Sequence, residues 1–343
     1  MTARIQTIRD MLHIATKIKH RGYMKPFQLI EQKLQDKGAL SMPHADDQNT
    51  IRLRYKIPAA VCTSNNRTQM SLSGFLAIFD DVTTWAMMSV DRSKRAGVSI
   101  SLGCHLANRT PVVTNTNGLS GIMPSAGDAV DITTRVDKIG RNLGFASVEA
   151  RHVESGQCIC IGYHTKFLPM GWLYETAYSP FLFPVTRTIM SMLTHDKSGE
   201  TGDKNSSDGC GVAEGGHLSD LLLVKDKSIS ANDDFGRYSL DLNDSHYNML
   251  GTMHGGCQAM VYEEVGRMAA MKDCFQNMRS APGESCHPNL ESIHIDYLSS
   301  ERKAVDIQSQ IFQCDASSAS MRLEMRSGGS DALVSRSKLA WRV

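Results

Sequence analysis

The chain has 343 residues, 41% of them hydrophobic and 21% charged, with 37 Lys plus Arg against 36 Asp plus Glu. That apolar content supplies cores for roughly two domains and excludes disorder of the whole chain. A net charge of +1 gives no global grip on nucleic acid, and nine cysteines without a C-x-x-C pair point to a reducing compartment rather than a disulfide scaffold or zinc ribbon.

Segment 1–30 carries six basic side chains (Arg4, Arg9, Lys17, Lys19, Arg21, Lys25) and one acid, Asp10. Ile5, Ile8, Leu12, Ala15 and Ile18 share one face of a helix expected over 5–20. A mitochondrial targeting helix and an amphipathic first helix packed on the domain both fit this pattern. Strand-like alternation follows at 51–57, then an apolar helical block at 75–88. Strands are expected at 97–102, 129–136, 145–151 and 159–168. The stretch 107–127, rich in Thr, Asn, Gly, Ser and Pro, has the composition of an inserted loop. Segment 172–193 is apolar but holds Glu175, Pro180, Pro184 and Arg187, so no membrane span is expected. Residues 195–216 are polar and Gly/Ser-rich, the composition of a flexible linker. Beyond them come a strand at 237–242, a helix at 254–271, and strands at 292–298, 304–312, 320–325 and 333–341.

Both halves therefore have strands, one central helix, then a run of strands. Ala129-Val130-Asp131-Ile132 recurs as Ala304-Val305-Asp306-Ile307, at an offset of 175 in the numbering. The separation from Asn65 to Asp80 equals that from Asn248 to Glu263, and these pairs are related by an offset of 183. The fall from 183 to 175 matches an insertion at 107–127 in the first half, and a duplication is expected. The limits expected are a first domain at 1–168, a linker at 169–217 and a second domain at 218–343.

The most informative segment runs from Asn248 to His254-Gly255-Gly256 and into a helix carrying Glu263. Two glycines at a helix start leave backbone N–H groups unshielded, and such a terminus can hold an anion or a polarised carbonyl oxygen. Asn248 could add an amide donor or merely cap the turn. In the first half the same places hold Asn65 and Ser71-Leu72-Ser73, without the glycines. There Asp80 lies among Phe75, Ile78, Phe79, Val82 and Trp85. One of Asp80 and Asp81 is expected to face solvent, and the inward one is a candidate general base. His164 and His294, lone histidines on strands, are expected to be structural or surface residues.

At these residues the chain resembles the hotdog-fold acyl-CoA thioesterases, of the small kind related to phenylacetate-pathway enzymes. Their hallmark N-x-x-G-x-x-H-G-G, with an acid nine positions after the His, is matched by Asn248, Gly251, His254, Gly255, Gly256 and Glu263. The first half resembles the animal mitochondrial members, from Asp80 through Gly97-Val98-Ser99 to Tyr163-His164-Thr165-Lys166. Residues 7–19 look like the first helix of those enzymes too. The resemblance covers about 1–168 and 218–343.

It implies an α+β fold of two hotdog domains, each an antiparallel sheet wrapped around a central helix, forming an intramolecular pseudo-dimer. It also implies sites shared between the halves. One would take Asn248, His254 and Gly255 from the second half and Asp80 and Ser99 from the first. The other would take Asn65 and Leu72 from the first half and Glu263 and Leu290 from the second. In that place Leu72 stands for the Gly, Ser71 for the His and Leu290 for the Ser/Thr, so decay is expected. The implied activity is hydrolysis of acyl-coenzyme A in a mitochondrial or otherwise cytoplasmic setting, with no metal and no cofactor beyond coenzyme A as part of the substrate. Asp80 would be base or nucleophile, Ser99 would orient water, and His254 would pin the helix start. A hydratase or dehydratase is the weaker reading. A silent hotdog protein serving as scaffold or subunit of a larger complex is the alternative, and pairing of two such chains stays open.

Overall fold

The computed structural model describes residues 27–29, 40–41, 49–63, 68–107, 123–169, 218, 222–227, 236–248, 252–275, 288–315 and 317–342. The helix expected at 5–20, most of the 107–127 loop and the linker expected at 169–217, apart from Pro169, lie outside these residues. The first half contains β1 (Leu40–Ser41), β2 (Thr50–Lys56), α1 (Leu72–Val90), β3 (Val98–Leu106), β4 (Ala129–Ile139), β5 (Leu143–His152) and β6 (Cys158–Phe167). The second contains β7 (Lys225–Asp226), β8 (Gly236–Asp241), α2 (Gly255–Ala269), β9 (Asn289–Tyr297), β10 (Ala304–Cys314), β11 (Ser318–Ser327) and β12 (Leu333–Arg342). The helix expected at 254–271 ends its α-helical part at Ala269, and Ala270–Cys274 continues it as a π-turn.

All twelve strands join one sheet in the order β1-β2-β4-β5-β6-β3-β9-β12-β11-β10-β8-β7. Exchanging each strand of the first half for the strand six places later reverses this order onto itself. Equivalent strands also keep the spacing found in the sequence. Both ends of β5 precede those of β11 by the same offset of 175 that relates the two Ala-Val-Asp-Ile segments, and the same is true of β6 and β12.

The halves meet where β3 runs antiparallel to β9, with Gly103 opposite His294, Ser101 opposite Asp296 and His105 opposite Ser292. This register is symmetric about the Gly103–His294 pair, so a local two-fold axis passes between them. Pairing β3 with β9 also protects the edge that each half would otherwise expose.

Strand alternation sorts the side chains. Val130, Ile132, Thr134 and Val136 of β4 and Ala146, Val148 and Ala150 of β5 are buried, while Arg135, Leu143 and Phe145 are exposed. The buried parity faces the helices, as a half-solvated antiparallel sheet requires. α1 is buried along almost its whole length because it packs on strands β3 to β6 and against α2. Ser71 opens it by accepting the Gly74 N–H at 3.3 Å. Asp91 closes it, receiving the backbone N–H of Arg95 at 2.9 Å and its guanidinium at 2.8 Å. That ion pair is buried but well satisfied, since the guanidinium also reaches the Arg141 carbonyl at 2.6 Å.

Close approach of α1 to the sheet depends on Gly162 of β6. A Cβ there would sit 2.7 Å from the Phe79 ring and 2.9 Å from the Gly103 carbonyl oxygen. Gly162→Ala is therefore expected to destabilise the fold by about 1–3 kcal/mol, the cost of overpacking a core. Gly329→Ala, whose Cβ would meet nothing within 4 Å, is expected to stay within about 0.5 kcal/mol of wild type. Urea denaturation of both variants checks this, and equal midpoints would refute the packing argument.

Candidate active site

The N-terminus of α2 is built by His254. Its backbone is extended, and its Nδ1 accepts the Gly256 N–H at 3.0 Å. An imidazole that accepts at Nδ1 carries its proton on Nε2 and is neutral. The next residue has to be glycine. A Cβ on Gly255 would lie 2.8 Å from Asp80 Oδ2 and 3.1 Å from the Tyr297 hydroxyl. The Asp80 carboxylate of α1 therefore lies directly against the start of α2. Its Oδ2 is 3.3 Å from His254 Nδ1, and Asp81 Oδ1 is 3.6 Å from His254 Nε2. Tyr297 of β9 donates to the Gly255 carbonyl at 3.1 Å and steadies this first turn.

Asp80 is 5% exposed. Ser99 donates to its Oδ1 at 3.0 Å, and Ser99 Oγ is 3.0 Å from His164 Nε2. His164 Nδ1 is 2.6 Å from Thr83 Oγ1, one turn further along α1. A β-bulge makes this possible. Ser99 pairs with Lys166, but the next pair is Ser101 with Thr165, so Ile100 is an extra residue in β3. Without it Ser99 would share the outward parity of Ser101; the extra residue turns Ser99 inward to Asp80.

Burial pushes the Asp80 carboxyl up, but His254, Lys166 and His164 together with the Ser99 hydrogen bond outweigh it and leave the group below its ordinary value. Burial, aided by nearby Lys166, pushes the His164 imidazole down to about 3. His164 is therefore a neutral partner near pH 7, while His254 Nδ1 acts as an acceptor.

Of the other expected residues, Asn248 holds a local turn, its Oδ1 accepting the Thr252 N–H at 3.3 Å and the Thr252 hydroxyl at 3.2 Å. Asn65 and Gly251 lie outside the described residues. At the pseudo-equivalent place Glu263 occupies the start of α1, its Oε2 accepting the Ser73 N–H at 3.0 Å. Leu72 and Leu290 are both buried. The longer side chain of Glu reaches the helix N–H groups directly, whereas Asp80 stops beside His254. Burial raises the Glu263 carboxyl above its ordinary value, and the Ser71–Ser73 turn only partly opposes this.

Sequence reasoning missed three neighbours. His164, expected to be structural or at the surface, is 1% exposed and bonded to Ser99, so it is not a surface residue. Lys166 and Tyr297 were not singled out. Their signal was available in part: His164 and Lys166 share the inward parity of β6 with Cys160 and Gly162, and polar groups on a buried parity need partners.

No protein-family model and no curated protein matches the sequence. Solved structures do resemble the chain. A Novosphingobium aromaticivorans protein provisionally described as a thioesterase aligns with TM-score 0.53 at 11% identity, covering 90% of this chain and 99% of its own. A Lactobacillus plantarum protein provisionally described as an oleoyl thioesterase aligns with TM-score 0.51 at 9% identity, covering 87% and 98%. An Alicyclobacillus acidocaldarius protein of unknown function with a hot dog fold aligns with TM-score 0.50 at 11% identity, covering 91% and 98%.

Two outcomes are expected from the geometry. Because the folded Glu263 carboxyl is raised, its protonated form is favoured by folding, and its contribution to stability declines as pH rises through the folded pKa. Glu263→Gln keeps an acceptor for the Ser73 N–H without the buried charge. Its melting temperature at pH 8 is expected to equal or exceed wild type, and a clear drop would show that the charge itself holds the halves together. Gly255→Ala is expected to cost about 1–3 kcal/mol in urea denaturation by displacing Asp80 or Tyr297; unchanged stability would refute the close approach. At the identities found, the comparisons speak to architecture alone: this chain has the hotdog fold.

Proposed function

We propose that the protein hydrolyses acyl-coenzyme A thioesters at one composite site between its two halves. The observation that carries this reading is the approach of the Asp80 carboxylate, from one half, to the Gly255-Gly256 helix start of the other. Such a start offers N–H groups with partial positive charge, suited to a thioester oxygen that gains negative charge as water adds. Asp80 accepts the proton of the attacking water as general base, or attacks as nucleophile. Ser99 orients Asp80 or the water. Asn248 holds the water or helps to polarise the carbonyl, and the Gly255 N–H binds the carbonyl oxygen. His254 fixes the turn rather than moving a proton. Breaking the C–S bond leaves coenzyme A as a thiolate, a good leaving group.

On this reading the chain is a tandem duplication forming an intramolecular pseudo-dimer, with domains at 1–168 and 218–343 and a linker at 169–217. The site around Glu263 and Asn65 is the decayed copy. The palindromic strand order and the constant offset between β5 and β11 and between β6 and β12 support the duplication. The basic start of the chain supports a mitochondrial location.

Hydrolysis of an acyl-CoA panel of graded chain length tests the reading. Wild type and Glu263→Gln are expected to turn over, and Asp80→Asn to lose about 10²–10⁴-fold in kcat, the range for removing a general base. Loss in Glu263→Gln with retention in Asp80→Asn would move the site to the other place. A wild type silent on every chain length would favour a scaffold.

A further inference from the structure

Lys166 is 5% exposed, yet among the described residues its one hydrogen-bond partner is the Thr84 hydroxyl, 2.7 Å from Nζ. No carboxylate among those residues lies within 4.0 Å of it in a salt bridge. A buried ammonium held by one neutral hydroxyl is costly for stability alone, and such groups concentrate at functional sites. Thr84 Oγ1 in turn donates to the Asp80 carbonyl at 2.5 Å. The ammonium is thus pinned to the turn of α1 that carries Asp80, within electrostatic reach of both Asp80 and Asp81.

The groups facing Asp80 can be taken element by element. Asp81 and Thr84 stand on α1, Ser99 on β3, His164 and Lys166 on β6, His254 at the start of α2 and Tyr297 on β9. Ser99, Thr84 and Tyr297 are neutral hydroxyls, and Asp81 is a second negative charge. His164 is uncharged near neutrality, and His254 is in its neutral tautomer. Lys166 is then the one group in this set able to bring a full positive charge.

We propose that Lys166 is a positioning residue of the site: anchored on Thr84, its buried ammonium is the fixed counter-charge that keeps Asp80 a carboxylate. This rests on Asp80 acting as the base. The need grows when an acyl thioester displaces water, because lost solvation penalises the charged form of a carboxyl. A charge held in the protein interior is little screened by salt and does not reorganise during the reaction. Arg could supply the charge, but its planar fork fits the Thr84 anchor less well than a compact ammonium.

The sign of the test follows. An opposite charge nearby lowers a carboxyl pKa, so Lys166→Met is expected to raise that of Asp80. The acid limb of the kcat/KM profile should move up by about one pH unit or more, with most of the rate recovered at high pH. Lys166→Arg should return the limb most of the way. Asp81→Asn removes a like charge and should move the limb down. If Lys166→Met does not fold, Thr84→Val, which frees the ammonium from its anchor, should move the limb up by a smaller amount. An unmoved limb in the folded Lys166→Met or Thr84→Val protein would overturn the proposal. ¹³C-carboxyl NMR titration of Asp80, assigned by its absence in Asp80→Asn, separates this outcome from failure of the hydrolase reading. It should show the same upward shift in Lys166→Met whether or not the protein cleaves thioesters, and an unmoved titration would sink the counter-charge role by itself.

Discussion

The antiparallel pairing of β3 with β9 is the constraint on which the rest of this molecule depends. It makes one sheet out of two halves, and its symmetric register about Gly103 and His294 determines where each half meets the other. The helices, each packed on its own half of that sheet, are brought side by side by the same pairing. The start of α2 thereby reaches Asp80 of α1, and the start of α1 reaches Glu263 of α2. A one-residue slip at the seam would turn every side chain of β9 to the opposite face. Tyr297 would then leave Gly255.

The starts of the two helices differ in their chemistry. In one, a short carboxylate stops beside a histidine-capped, glycine-opened helix and is held by Ser99. In the other, a carboxylate one methylene longer reaches a helix N–H itself and fills the anion position with part of the protein. The start of α1 has Ser71 and Leu72 where the start of α2 has His254 and Gly255. The differences are thus complementary: the half that carries Asp80 and Ser99 lacks the open helix start, and the other half has it.

Much of the architecture was legible because it rests on local periodicity. The alternation at 51–57 and 129–136 is a two-residue period, and the apolar block at 75–88 is too long and too continuous for a strand. Spacing also exposed the repeated order of elements, and the family hallmark pointed to the Gly-Gly helix start. Boundaries were less legible. β3 extends to Leu106, well past the expected 102, because its later residues gain partners only from β9 in the other half and from β6. The π-turn at Ala270–Cys274 gave no periodic signal at all.

By itself, then, the sequence determined the element types, their repeated order and the candidates Asp80, Gly255 and His254, since each is marked by period, spacing or motif. Which of two adjacent acids faces inward, which way Ser99 points, and that His164 and Lys166 close around Asp80 were decided only by tertiary structure. The physical reason is that these depend on one extra residue, Ile100, and on pairing between strands distant in the chain. A bulge inverts the parity of every residue on one side of it, and no composition or period along β3 announces it. The charge balance of the site follows from that geometry, because a carboxyl buried at 5% exposure takes its character from whatever folds around it.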